Sequence, residues 1–120
     1  LDTKLNIKSL IKHGYAQTGG SSIDRLYTKG TYQEKIENFK IADKLLDINN
    51  SKIIIKIDVE GHEFKVLEGL KKIIRNNKFI IKIEIYKKNY LKVNNFLTLN
   101  GYKLINLINE RFNYFYKNFN

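Results

Sequence analysis

Two short apolar runs each lead into a stretch with helical apolar spacing, and that repetition constrains the fold more than any other feature of the chain. The first is Ile53-Ile54-Ile55-Lys56-Ile57. The second is Phe79-Ile80-Ile81-Lys82-Ile83-Glu84-Ile85-Tyr86. β-Branched and aromatic residues fit extended backbone. The first run lies between Asn49-Asn50-Ser51 and Gly61, and so continuous an apolar run reads as a strand buried on both faces. A helix then starts near His62 or Glu63. In it Val66, Leu67, Leu70, Ile73 and Ile74 form one stripe, and Asn76-Asn77 ends it. A second helix, from about residue 89 to 99, carries Leu91, Val93, Phe96, Leu97 and Leu99 and stops at Asn100-Gly101. Residues 102–108 and 111–117 read as two strands joined by the tight turn Asn109-Glu110.

The order strand, helix, strand, helix, strand, strand implies parallel βαβ units with right-handed crossovers, closed by an antiparallel hairpin in the same sheet. This is the pattern of the second half of a doubly wound α/β sheet. The helical crossover is short enough for the two apolar strands to be adjacent and parallel, with Asp58 and Glu84 at the same end. The lead-in over residues 1–40 is less regular. Leu5, Ile7, Leu10 and Ile11 fit neither strand nor long-helix spacing, and 14–22 is rich in turn formers, so a short element followed by a loop is expected there. Within 41–47, Ile41, Leu45 and Leu46 have the spacing of one helical turn. A single domain is expected, with residues 41–120 as its motif-bearing core.

A chain of 120 residues with 42% hydrophobic content can build one core. It contains no cysteine, which excludes a disulfide framework, a thiolate nucleophile and a cysteine-ligated metal. Apolar runs such as Ile53 to Ile55, none longer than three residues, are far short of the roughly 20 residues that cross a bilayer, and the N-terminus lacks the layout of a signal peptide. A cytoplasmic protein without membrane contact is expected. The charge of +10 is spread along a chain biased toward Lys, Asn and Ile, so it argues only weakly for nucleic acid.

In an open α/β sheet, ligands gather at the carboxyl ends of the parallel strands. There the first strand gives Asp58-Val59-Glu60-Gly61-His62-Glu63 and the second Glu84-Ile85-Tyr86. Asp58, Glu60 and Glu84 are therefore expected at one rim, with Gly61 allowing a sharp turn and His62 and Glu63 opening the helix. Lys56 shares a strand face with Asp58, as Lys82 does with Glu84, and a charge within an apolar strand needs a partner, so Lys56 is expected beside Asp58, Glu84 or both. Asp58, Glu60 and His62 are too nearly adjacent on one turn to converge on an ion, and no metal is expected. His13 reads as a surface residue, and Gly19-Gly20-Ser21-Ser22 lacks the strand and Lys-Ser/Thr of a phosphate loop. Phe112, Tyr114, Phe115, Tyr116 and Phe119 suit strand packing better than base stacking.

The segment I-K-I-D-V-E-G-H-E over residues 55–63, followed by V-L-E-G at 66–69, resembles the signature of the FkbM-like family of S-adenosylmethionine-dependent methyltransferases. The resemblance continues through Ile83-Glu84-Ile85, Leu97 with Gly101-Tyr102, and the terminal N-Y-F-Y-K-N at 113–118, covering about residues 36–118. It implies the C-terminal half of a Rossmann-like methyltransferase sheet whose N-terminal, cofactor-binding strands are missing. Residues binding S-adenosyl-L-methionine are then expected upstream of Leu1, and the chain alone is expected to be an inactive fragment. The chemistry implied is O-methylation of a sugar or other small hydroxylated metabolite, with Asp58, Glu60 and Glu84 as catalytic candidates and Lys56 and His62 as substrate-binding candidates. The rival reading is a small basic nucleic-acid-binding module, which the acidic rim opposes. A bare edge on the first apolar strand favours self-association.

Overall fold

The computed structural model describes residues 3–12, 15–16, 32–105 and 112–120, which belong to two units divided after Ile41. In the first unit, β1 (Thr3–Lys12) pairs antiparallel with β2 (Tyr15–Ala16) on one side and with β3 (Tyr32–Phe39) on the other. The β1–β3 register runs from Thr3 opposite Phe39 to Leu10 opposite Tyr32. The lead-in therefore holds a three-stranded sheet where a short element and a loop were expected. Strand pairing here is nonlocal: Leu5 and Ile7 alternate with polar residues in β1, but Leu10-Ile11 breaks that period and β3 shows none. Of the turn-rich stretch 14–22, Tyr15 and Ala16 lie in β2. The glycine-serine segment 19–22 and His13 lie outside the described residues.

The second unit opens with the single helical turn α1 (Ala42–Leu45), followed by β4 (Lys52–Ile57). The expected crossover helix is two: α2 (Glu63–Gly69) and α3 (Lys71–Asn76). They part at Leu70, whose N–H is shared between the carbonyls of Val66 and Leu67 at 3.1 and 3.3 Å. The break has two causes. Gly69 weakens the helix locally, and the carboxylate of Asp43 in α1 accepts the N–H groups of Lys72 and Ile73 at 2.7 and 3.0 Å, capping α3 from outside. Next come β5 (Lys78–Glu84), a 3₁₀ turn over Lys87–Asn89, α4 (Tyr90–Leu99), β6 (Lys103–Ile105) and β7 (Asn113–Lys117). The Asn109-Glu110 turn falls outside the described residues.

The four strands follow the order β4-β5-β7-β6. β4 and β5 are adjacent and parallel, from Lys52 opposite Lys78 to Ile57 opposite Ile83, as their short crossover requires. β7 lies antiparallel between β5 and β6, so the closing strands do join the same sheet. Ile57, Phe79, Ile81, Ile83 and Tyr116 from the sheet share one buried cluster with Leu67, Ile73, Ile74, Val93 and Leu97 from the helices.

That packing corrects the two-sided burial expected of β4. Ile57 is buried, whereas Ile54 is 81% exposed and Lys56 is also exposed. The helices cover one face only, and the alternation of the strand sends Ile54 and Lys56 to the other. At the opposite end of the strands, Asn77 is buried and fully bonded. Its Nδ2 donates to the carbonyls of Ile48 and Ile73 at 2.7 and 2.8 Å, and its Oδ1 accepts the Ser51 N–H at 2.8 Å.

Removing the outside cap by Asp43→Ala should lower unfolding stability by about 1 kcal/mol, read from the urea midpoint. Asn77→Ala, which leaves buried backbone groups unpaired, should cost at least about 2 kcal/mol by the same measurement. Alkali gives a further check. Burial raises the phenols of Tyr102 and Tyr116 well above the ordinary tyrosine value, the second with help from Tyr90. The unfolded chain ionises these groups from about pH 10 while the folded chain keeps them protonated, so stability should hold below that pH and fall above it. Tyr102→Phe should flatten the fall in urea midpoints between pH 9 and 11.

Candidate active site

Because Ile57 and Ile83 are paired in a parallel ladder, the residues that follow them, Asp58 and Glu84, emerge at the same end of the sheet. The turn after β4 is tight. Glu60 has φ 50° and Gly61 φ 107°, both left-handed, and the His62 N–H reaches the Val59 carbonyl at 3.2 Å. A Cβ on Gly61 would meet nothing within 4 Å, so the demand for glycine there comes from the backbone angle and not from crowding. His62 precedes α2, and its carbonyl accepts the Val66 N–H at 3.1 Å.

The charged residues separate into three settings. Lys56 Nζ lies 3.1 Å from Asp58 Oδ2, with side chains 63% and 39% exposed. Lys56 thus finds Asp58 as expected, but in solvent, where such a pair contributes little to stability. Glu60 is half-buried and accepts a hydrogen bond from the Tyr86 hydroxyl. Glu63 is almost fully buried. One of its oxygens accepts the Gly61 N–H at 2.8 Å and the other accepts Asn89 Nδ2 at 3.2 Å. Glu84 is half-buried and stands opposite Asn113 in the β5–β7 register. Lys82 Nζ lies 5.5 Å from the ring centroid of Phe115.

Aromatic packing braces this end of the sheet. Phe64 of α2 meets Phe96 of α4 edge to face at 5.6 Å, and Lys92 Nζ sits 3.8 Å from the Phe64 centroid. Tyr86 meets Phe112 edge to face at 6.0 Å. Phe112 has φ 65°, rare for a bulky residue, and its carbonyl accepts the Ile85 N–H at 2.8 Å. Two more of the C-terminal aromatics pack as strand residues: Tyr116 is buried with its hydroxyl donating to Asn94 Oδ1 at 2.8 Å, and Tyr114 lies against Tyr90 at 4.9 Å.

All five residues singled out from the sequence, Lys56, Asp58, Glu60, His62 and Glu84, lie on β4, β5 or the turn after β4. Glu63, Tyr86 and Asn89 are the additions. Their only sequence signal is position, since they occupy the helix start and the β5–α4 turn at the end where the acidic turn lies. Among the described residues, no group of three His, Asp or Glu side chains is placed to hold a metal ion.

An α/β unit with carboxylates gathered where parallel strands give way to helices has the layout of an enzyme site. The methyltransferase FkbM domain model matches residues 6–104, most of the chain, and the chain belongs to that family of methyltransferases. The match starts some thirty residues earlier than the resemblance seen in the motifs, so it takes in nearly all of β1 and the whole of β3, and it ends before β7. Comparison with curated proteins and with solved structures gives no match.

Placing an L-residue at φ 107° is strained, so Gly61→Ala should destabilise the chain by about 1–2 kcal/mol despite the open space around it. A thermal melt checks this.

Proposed function

We propose that this domain transfers a methyl group from S-adenosyl-L-methionine to an oxygen, the hydroxyl of a sugar or other small hydroxylated metabolite. The observation that carries the reading is the family match over residues 6–104, whose range includes the acidic turn after β4. Residues 41–120 form the motif-bearing core of the proposed domain. The donor carries a sulfonium cation and ribose hydroxyls, and carboxylates suit both. When bound, S-adenosylmethionine supplies an electrophilic methyl group.

The remaining work falls to the chain's own residues. The acceptor hydroxyl must lose its proton as its oxygen is methylated, and Asp58, exposed at the rim, takes that proton or orients the hydroxyl. Lys56, 3.1 Å from Asp58, provides a positive partner beside the acceptor. Glu60, oriented by Tyr86, is a second acceptor of substrate hydroxyl protons, and Glu84 positions the substrate from the end of β5. His62 contributes to substrate binding at the start of α2. No helix among the described residues is long and apolar enough to cross a membrane, and we place the reaction in the cytoplasm. We also propose self-association through β4, the end strand of its sheet, where Ile54 is exposed. A concentration-independent monomer on size-exclusion chromatography would reject that part.

The test is methyl transfer by the full-length gene product from tritiated S-adenosylmethionine to a panel of monosaccharides and other small polyols. Label in a hydroxylated product is expected, and label appearing only in nucleic acid or protein would overturn the acceptor class. Asp58→Asn, nearly isosteric, should cut turnover about 10²–10⁴-fold with the circular dichroism spectrum unchanged. A loss below about threefold would remove Asp58 from the mechanism.

A further inference from the structure

The acidic turn after β4 is held by two residues to which methyl transfer as described assigns no part. Glu63 is a charged side chain that is buried, at 1% exposure. A carboxylate so enclosed must be compensated, and here the compensation comes from hydrogen-bond donors. Glu63 accepts the Gly61 N–H at 2.8 Å and Asn89 Nδ2 at 3.2 Å, and the same Nδ2 donates to the Gly61 carbonyl at 3.1 Å. Both polar backbone groups of Gly61 are thus held by two side chains that are bonded to each other. One comes from the first turn of α2 and the other from the 3₁₀ turn before α4.

The residue so gripped has φ 107°, and its neighbour Glu60 has φ 50°. A non-glycine residue in the left-handed region relaxes elsewhere unless its surroundings fix it. If Gly61 rotates, Glu60 turns with it, and the carboxylate leaves the Tyr86 hydroxyl. The clamp and the Glu60–Tyr86 bond therefore join the same two turns, the first by way of the Gly61 backbone and the second by way of a side chain at the strand ends.

We propose that Glu63 and Asn89 are positioning residues for methyl transfer: they lock the Glu60–Gly61 turn in its left-handed form and hold the Glu60 carboxylate at the end of the sheet that carries Asp58. The proposal rests on the methyl-transfer reading of that end. Its kinetic signature follows from geometry. Misplacing a group by about 1 Å can cost a hundredfold in rate, while binding contacts made elsewhere on the acceptor survive, so kcat should fall and KM should change little.

Asn89→Ala removes two of the three bonds and leaves Glu63 bonded to Gly61. In the full-length protein, assayed with tritiated S-adenosylmethionine and the polyol that supports turnover, kcat should fall 10- to 100-fold. KM should change by less than threefold and the melting temperature by only a few degrees. Glu63→Gln retains an oxygen for the Gly61 N–H and should keep more of the turnover than Glu63→Ala. A second readout needs no acceptor: amide hydrogen exchange at Gly61, compared with His62, whose N–H is bonded to Val59 within the same turn. Asn89→Ala should speed exchange at Gly61 at least tenfold and at His62 less than threefold. Unchanged exchange at Gly61 would show that the clamp does not hold the turn. Faster exchange with kcat within twofold of the parent would make the pair structural only. Either result overturns the proposal. A full-length protein that methylates none of the polyols refutes the methyl-transfer reading and the positioning role that rests on it, while the exchange rates still decide whether the clamp exists.

Discussion

The parallel ladder between β4 and β5 sets the position of everything of chemical interest in this chain. Its register places Ile57 beside Ile83 as the last pair of the ladder, after which β4 turns away and β5 runs on beside β7 to Glu84. Two strands in parallel release their carboxyl ends on the same side, so the acidic turn after one and the tyrosine-bearing turn after the other become neighbours without any long-range fitting. An antiparallel pairing of the same two sequences would have sent Asp58 and Glu84 to opposite ends. The helices between them serve this register by covering the face that carries Ile57, Ile81 and Ile83.

The other face is where the chain departs from an ordinary buried sheet. Ile54 and Lys56 stand on it side by side along β4, one apolar and one charged, both exposed. Lys56 meets Asp58 there in solvent, so the pair is free of the desolvation that a buried ion pair must overcome. Glu63 is buried instead, and it is satisfied by amide donors from the backbone and from Asn89. The rim therefore combines an exposed, hydrated carboxylate with an enclosed one, and the two are five residues apart.

Much of this was legible in the sequence. β5 and α4 have patterns strong enough to place them within a few residues, and the crossover length made β4 and β5 neighbours. What could not be read had physical causes. Isoleucine at three successive positions looks the same whether a strand is covered on one face or two, so Ile54 gave no sign of its exposure. The crossover helix broke at Leu70 because Asp43, nearly thirty residues away, supplied a cap that no local pattern reveals. The alternation in β1 is confined to Leu5 and Ile7 and β3 has none, and their pairing depends on partners about thirty residues apart. Glu63 read as one more polar residue at a helix start, because burial of a carboxylate is decided by neighbours such as Asn89.

The Asp43 cap has a consequence for how the second unit assembles. α1 has four residues, α2 seven and α3 six, and isolated helices shorter than about 12–15 residues are marginal in water. None of the three would persist as a separate peptide. α3 in particular begins where a side chain from α1 meets it, and that side chain arrives only when the intervening strand and turn are in place. The crossover between β4 and β5 cannot then form piece by piece. Sheet, turn and helices must become ordered together, and the acidic turn depends on that common assembly.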